Sequence, residues 1–114
     1  LGEKNLVVSF FATWCVPCAK EIPELIKMSK EFEDDFQFIL VDVNEKRDLV
    51  KKHVDEKGIT LQVILDKYGK VFESFSGVTL PLLVVIDKKG KITYHHTGYV
   101  KGDENKLKKH LKTL

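Results

Sequence analysis

The chain is short of most residues that punctuate or staple a fold: two cysteines, three prolines, one tryptophan and one methionine in 114 residues. Two cysteines cannot knit a disulfide-rich scaffold, so a hydrophobic core must hold the chain together. Charge of one sign is also scarce, with 19 Lys plus Arg against 17 Asp plus Glu and a net charge of +2. That excess is too small for a phosphate-tracking surface, and no nucleic-acid partner is expected. Long apolar runs are missing as well. The longest charge-free stretch, Asn5 to Ala19, includes Ser9, Thr13 and Pro17 and falls short of the roughly 18–20 apolar residues of a membrane span. No secretory signal is visible, since Leu1 is not a start Met and a strand-like run begins by Leu6. The sequence reads as one domain over residues 1–114, trimmed of an N-terminal anchor or extra strands. What remains is a globular balance, 43% hydrophobic and 32% charged.

Leu6 to Ala12 is a short apolar run rich in β-branched and aromatic residues, as a strand buried on both faces requires. From Pro17 the period changes to that of a helix, with Ile22, Leu25, Ile26, Ser29 and Phe32 on one face. Pro23 removes an amide donor and is expected to kink that helix between Ala19 and Glu24. Phe36 to Val43 reads as a second buried strand. A helix follows in which Leu49, Val50, His53 and Val54 share a face, with Asn44 as its N-cap and Gly58 as its stop. Val63 to Leu65 forms a short strand, a turn surrounds Gly69, and Val71, Phe72 and Phe75 suit a short helix. Leu82 to Ile86 and Ile92 to Thr97 flank the turn Asp87-Lys88-Lys89-Gly90 as a β-hairpin. Leu107, Leu111 and Leu114 make the stripe of a last helix, whose lysines form a solvated face. This order predicts an α/β domain with a mixed sheet covered by helices on both faces and a parallel first half.

Cys15 and Cys18 stand where the first strand hands over to the first helix. A sulfur there faces unsatisfied amide donors and the positive end of the helix dipole, both of which favour thiolate. Cys15 is the expected nucleophile on a partner's disulfide, and the more buried Cys18 the sulfur that resolves the mixed disulfide. Pro17 presets φ in the first helical turn. A structural disulfide across so short a loop would restrict the unfolded chain little. A zinc half-site would need two further ligands, and neither a second Cys pair nor a His-x-x-x-His occurs. No metal is therefore expected. A coincidental spacing is the remaining bland reading, and the strand-to-helix context argues against it.

Glu21 follows Cys18 by three residues and shares its helical face. It could exchange the proton that thiol–disulfide chemistry must move or tune the pair's pKa, or it could be a solvated surface glutamate; the residues alone leave both open. Pro81 precedes a strong strand. A cis Leu80–Pro81 bond would set the Leu80 backbone beside the cysteines for strand-like pairing with a client, but cis accounts for only about 5–6% of X–Pro bonds. Read by itself, the bond is trans. Trp14 either shields the thiolate and offers clients a flat surface or is a packing aromatic. His53 is expected to be a packed core or boundary residue.

The segment Phe11-Ala12-Thr13-Trp14-Cys15-Val16-Pro17-Cys18-Ala19-Lys20-Glu21-Ile22-Pro23-Glu24-Leu25 resembles the TlpA/ResA-like branch of the thioredoxin fold. So do Val63-Ile64-Leu65-Asp66, Leu80-Pro81, and Val85-Ile86-Asp87-Lys88-Lys89-Gly90-Lys91-Ile92 running on to Gly98. The resemblance implies a thioredoxin-like domain acting as a thiol–disulfide oxidoreductase of the bacterial cell envelope, outside the cytoplasm. Several members of that branch reduce disulfides in proteins awaiting covalent haem attachment. It further implies that Pro81 is a cis proline facing the disulfide, reversing the trans reading, and that Glu21 tunes the cysteine pair. Trp14, Val16, Pro17, Leu80 and Pro81 become the expected client-contacting residues. Expected partners are protein disulfide or thiol clients and an upstream dithiol donor, with a membrane reached only through a tether outside this chain. The expected state is a monomer with no cofactor beyond the Cys15–Cys18 disulfide. Three features depart from the pattern. Ser9 stands six residues before Cys15, where thioredoxin has a buried Asp, so Glu21 is the substitute proton carrier. Leu82 and Leu83 follow the proline where the branch often has two threonines, and extra N-terminal strands are missing. A redox-inert peptide-binding module and a peroxide-reducing enzyme on a related fold are the alternatives.

Overall fold

The structure, a computed structural model, describes residues 3–114. In chain order the elements are β1 (Asn5–Phe11), α1 (Val16–Glu31), β2 (Phe36–Val43), α2 (Arg47–Lys57), β3 (Gln62–Asp66), α3 (Lys70–Ser74), β4 (Leu82–Ile86), β5 (Ile92–Thr97) and α4 (Asp103–Leu111). The strands form one sheet in the order β3-β2-β1-β4-β5. β1, β2 and β3 run parallel, while β4 is antiparallel to both β1 and β5. This is the mixed sheet the sequence calls for, with β1 and β4 as central strands.

Because side chains alternate across a strand, the sheet builds two cores. Val7 and Phe11 of β1, Phe38 and Leu40 of β2, and Leu83 and Val85 of β4 pack with Ile22 and Leu25 of α1 and Leu107 and Leu111 of α4. α2 lies on this face too, with the His53 ring 6.4 Å from that of Phe11. On the other face Val8, Phe10, Val41, Leu82 and Val84 meet Phe72 and Phe75 of and beside α3. Burying a side chain such as Leu25 stabilises the fold by about 1.5–3 kcal/mol, and truncation to Ala costs about 2–5 kcal/mol.

Several local expectations change. α1 runs through Pro23 to Glu31, burying Cys18, Glu21, Ile22, Leu25 and Met28. Pro23 and Ala19 both lie on the exposed face, so the carbonyl that loses its donor opens to solvent, where water can serve it. Asn44 is not the N-cap of α2. It adopts φ 57°, a left-handed geometry that Asn tolerates, and its N–H donates to the Asp66 carbonyl at 2.8 Å. Lys46 takes the cap position without a side-chain bond, and the helix buries Val50 while leaving Leu49 half exposed. Gly58 closes the helix with φ 63°, as a left-handed C-terminal stop requires. Leu114 lies beyond α4 and is exposed, so the stripe ends at Leu111.

Candidate active site

β1 ends at the buried Phe11, and after the buried Ala12 the chain turns through Thr13 and Trp14 into α1. Cys15 is the N-cap residue, with extended backbone angles of φ −83° and ψ 108°. Its sulfur accepts the Cys18 N–H at 3.3 Å, so one orphan donor of the helix start points at the sulfur. The first turn carries no acidic residue, and nothing anionic there offsets the positive end of the dipole. Cys15 and Cys18 are joined in a disulfide with Cα atoms 5.3 Å apart. Both are buried, Cys18 the more deeply at 1% exposure against 4%. Beside them Trp14 is 71% exposed and Val16 also stands in solvent. Trp14 therefore does no core packing, and Pro17 shares the exposed rim in the first turn.

Glu21 is not a surface residue. It is buried on the inner face of α1, where Ser9 Oγ–H donates to its Oε1 at 3.0 Å. Burial pushes its carboxyl up to about 7; the Ser9 bond pulls the other way, and the charges of Asp103 and Glu104 add to the rise. The group thus gains and loses a proton near neutrality. Ser9, where the thioredoxin pattern has Asp, places its hydroxyl on this carboxyl.

The Leu80–Pro81 peptide is cis. Pro81 is buried, and its carbonyl accepts the Gly98 N–H at 2.7 Å. Phe10 pairs with Leu82 across β1 and β4 as the last rung of that antiparallel ladder. The register brings the proline loop and the cysteine turn to the same end of the sheet.

Three residues at that end went unread in the sequence. Glu45, in the loop after β2, accepts the Thr13 N–H on Oε1 at 2.7 Å and the Thr13 Oγ1–H on Oε2 at 2.6 Å. Asp42 lies beneath it, fully buried. The available signal was an acidic residue inside the apolar run from Phe36 to Val43; nothing in the sequence marked Thr13 or Glu45 as its associates. His53 sits where expected, against Phe11 on the inner side of α2.

Against known proteins, the model of the Redoxin family matches residues 1–111. The chain is 31% identical over 99 residues to a thiol-disulfide oxidoreductase ResA of Halalkalibacterium halodurans, which spans 86% of this chain and 56% of that protein. The curated ResA relatives it matches are thus longer proteins, of which it spans between about half and two thirds. Among solved structures, an uncharacterized thioredoxin-like protein of Porphyromonas gingivalis superposes with a TM-score of 0.85 at 31% identity, covering 100% of this chain and 77% of that one. The pneumococcal exposed lipoprotein thioredoxin of Streptococcus pneumoniae strain TIGR4 gives a TM-score of 0.88 at 25% identity, covering 99% and 87%. The architecture is the thioredoxin fold.

Proposed function

The chain belongs to the Redoxin family, and from that premise we propose that it is a thiol–disulfide oxidoreductase working through the Cys15–Cys18 dithiol. The observation that carries this reading is Cys15 at the N-cap of α1, its sulfur facing the Cys18 amide and its disulfide partner one turn further in. In the reduced protein the same amide and dipole favour the Cys15 thiolate. That thiolate attacks one sulfur of a client disulfide; the other client sulfur leaves as thiolate and takes a proton from solvent. Cys18 then gives its proton to Glu21, whose carboxyl is buried on the same helical face, and its thiolate attacks Cys15 Sγ. The second client sulfur leaves as thiolate and takes the proton held by Glu21; two electrons have passed to the client, and the protein holds the disulfide seen here. An upstream dithiol reverses these steps to recharge it.

The exposed rim of Trp14, Val16 and Pro17, together with the half-buried Leu80, is the surface offered to an extended client, while the cis Pro81, itself buried, shapes the loop that carries Leu80. The cell envelope, outside the cytoplasm, is the compartment. The sequence resemblance supports it, as does the likeness to an exposed lipoprotein thioredoxin. The resemblance also supports proteins awaiting haem attachment as a client class. Reduction of insulin disulfides tests the chemistry. Cys15→Ser is expected to abolish turnover and Cys18→Ser to accumulate a covalent mixed disulfide, visible on non-reducing gels. Full activity of Cys15→Ser would overturn the assignment of the attacking sulfur.

A further inference from the structure

Asp42, the last residue but one of β2, stands directly across from Phe11 of β1 and Leu65 of β3. It is 0% exposed, and among the described residues no N–H or O–H donor reaches either of its carboxyl oxygens. A lone carboxylate in that setting would be an uncompensated buried charge. The polar group within hydrogen-bond reach is another carboxyl, that of Glu45. Two carboxylates cannot bond each other, whereas an acid and a carboxylate can, so the pair must keep one proton between them. Glu45 meanwhile spends both oxygens on Thr13, at 2.7 Å to the N–H and 2.6 Å to the hydroxyl. Thr13 is the first residue of the turn that delivers Trp14 and Cys15.

We propose that Asp42 and Glu45 share a proton and form a latch that holds the Thr13–Trp14 turn, making Asp42 a positioning residue for the Cys15 sulfur. This rests on the reading of Cys15 as nucleophile. Asp42 is the member that keeps the proton: burial pushes its acid up to about 8, and the Glu45 carboxylate adds to the rise. Burial also works to raise Glu45, but the bonds from Asp42 and Thr13 and the nearby His53 outweigh it and hold Glu45 below the usual carboxylate range. The titratable groups that face one another here are Asp42, Glu45 and His53 of α2; Phe11 and Leu65, on the flanking strands, carry no charge. When the shared proton leaves, two anions face each other under the turn. Glu45 is then driven off, Thr13 loses both bonds, and the path into Cys15 loosens.

The oxidised protein isolates the latch, because its cysteines do not titrate. In 15N-labelled wild type, the Thr13 amide resonance is expected to move with a midpoint near pH 8. In Asp42→Asn, where an amide donor faces Glu45 with no proton to lose, it is expected to stay flat. A flat wild-type resonance between pH 6 and 9.5, or the same transition in the variant, would overturn the latch. Should Asp42→Asn not fold, the 13C carboxyl titration of wild-type Asp42 decides: a midpoint near 8 supports the shared proton and one near 4 removes it. In the reduced protein, the alkylation rate of Cys15 is expected to show a second inflection near pH 8 that Asp42→Asn lacks; superimposable profiles would end the positioning role. If Cys15→Ser retained reductase activity, the functional reading would fall while the Thr13 titration still reported on the latch.

Discussion

Of the acidic side chains buried on one face of the sheet, Glu21 and Asp42 are kept by opposite means. Glu21, on α1, is held by the Ser9 hydroxyl; Asp42, at the end of β2, has no neutral donor and leans on a second carboxyl. Both are raised by burial, to about 7 and about 8. A hydroxyl bond stabilises the charged form and limits the rise, while a neighbouring carboxylate penalises it and extends the rise. The first arrangement makes a group that trades protons at neutral pH, as the proposed resolution by Cys18 needs. The second makes one that keeps its proton until mildly alkaline pH, as a structural latch needs. The difference between carrier and latch thus lies in the partner rather than in the carboxyl itself.

Replacing Asp42 tests that contrast most strongly. In the unfolded chain an aspartate ionises near pH 4, but the folded Asp42 keeps its proton to about 8. Its contribution is therefore fully present below pH 4 and lost as pH rises through that window, at up to about 1.4 kcal/mol per pH unit. Urea unfolding of oxidised Asp42→Asn should show a flatter pH dependence, with about 4 kcal/mol more stability than wild type at pH 8 relative to pH 4.5. An unchanged slope would put Asp42 in the ordinary range and erase the contrast. Glu21→Gln should act in the same direction over a narrower window, between about 4.5 and 7, and gain about 3 kcal/mol at pH 8 relative to pH 4.5. Its kinetic signature should differ, slowing resolution of the mixed disulfide at neutral pH while leaving the first attack by Cys15 intact. Equal slowing of both steps in stopped-flow traces would make Glu21 a general structural residue.

How far the sequence reaches depends on whether a feature is local. β2 and β4 were legible to the residue, because β4 is a continuous apolar run and β2 a predominantly apolar one, each bounded by turn residues. Cys15, Cys18 and the strand-to-helix junction share one short segment, so spacing alone locates the sulfur chemistry. Glu21 was half legible. Its helical phase was clear, but its burial depends on Ser9, twelve residues away on another element. Asn44 was misplaced because a cap and a left-handed turn favour the same residue type, and the Asp66 carbonyl that selects the turn comes from β3. The latch was illegible for the same reason: it needs β1 and β2 aligned before Thr13, Asp42 and Glu45 meet, and no residue pattern announces that parallel register.

Thr13→Val is the next step down in size. It keeps the N–H bond to Glu45 but deletes the hydroxyl bond at 2.6 Å. Loss of a hydrogen bond to a charged group is expected to cost about 1.5 kcal/mol in the oxidised protein, and most of that cost should vanish above pH 8, where the latch has already opened. A pH-independent loss would tie Thr13 to packing instead.

Ser9→Ala has the smallest effect and bears most directly on the comparison. The hydroxyl donates to Glu21 Oε1, so it stabilises the ionised form and is the restraint that keeps Glu21 from rising further. A hydrogen bond with net value of about 1 kcal/mol corresponds to roughly 0.7 pH unit. The 13C carboxyl titration of Glu21 should therefore move upward by somewhat less than one unit in Ser9→Ala, and that of Asp42 should not move. With the restraint gone, Glu21 would titrate close to the range of Asp42, and the rate of mixed-disulfide resolution should reach its plateau at correspondingly higher pH. A downward or absent shift of Glu21 would show that the hydroxyl does not select the ionised carboxylate. Carrier and latch would then differ for some reason other than the donor each one faces.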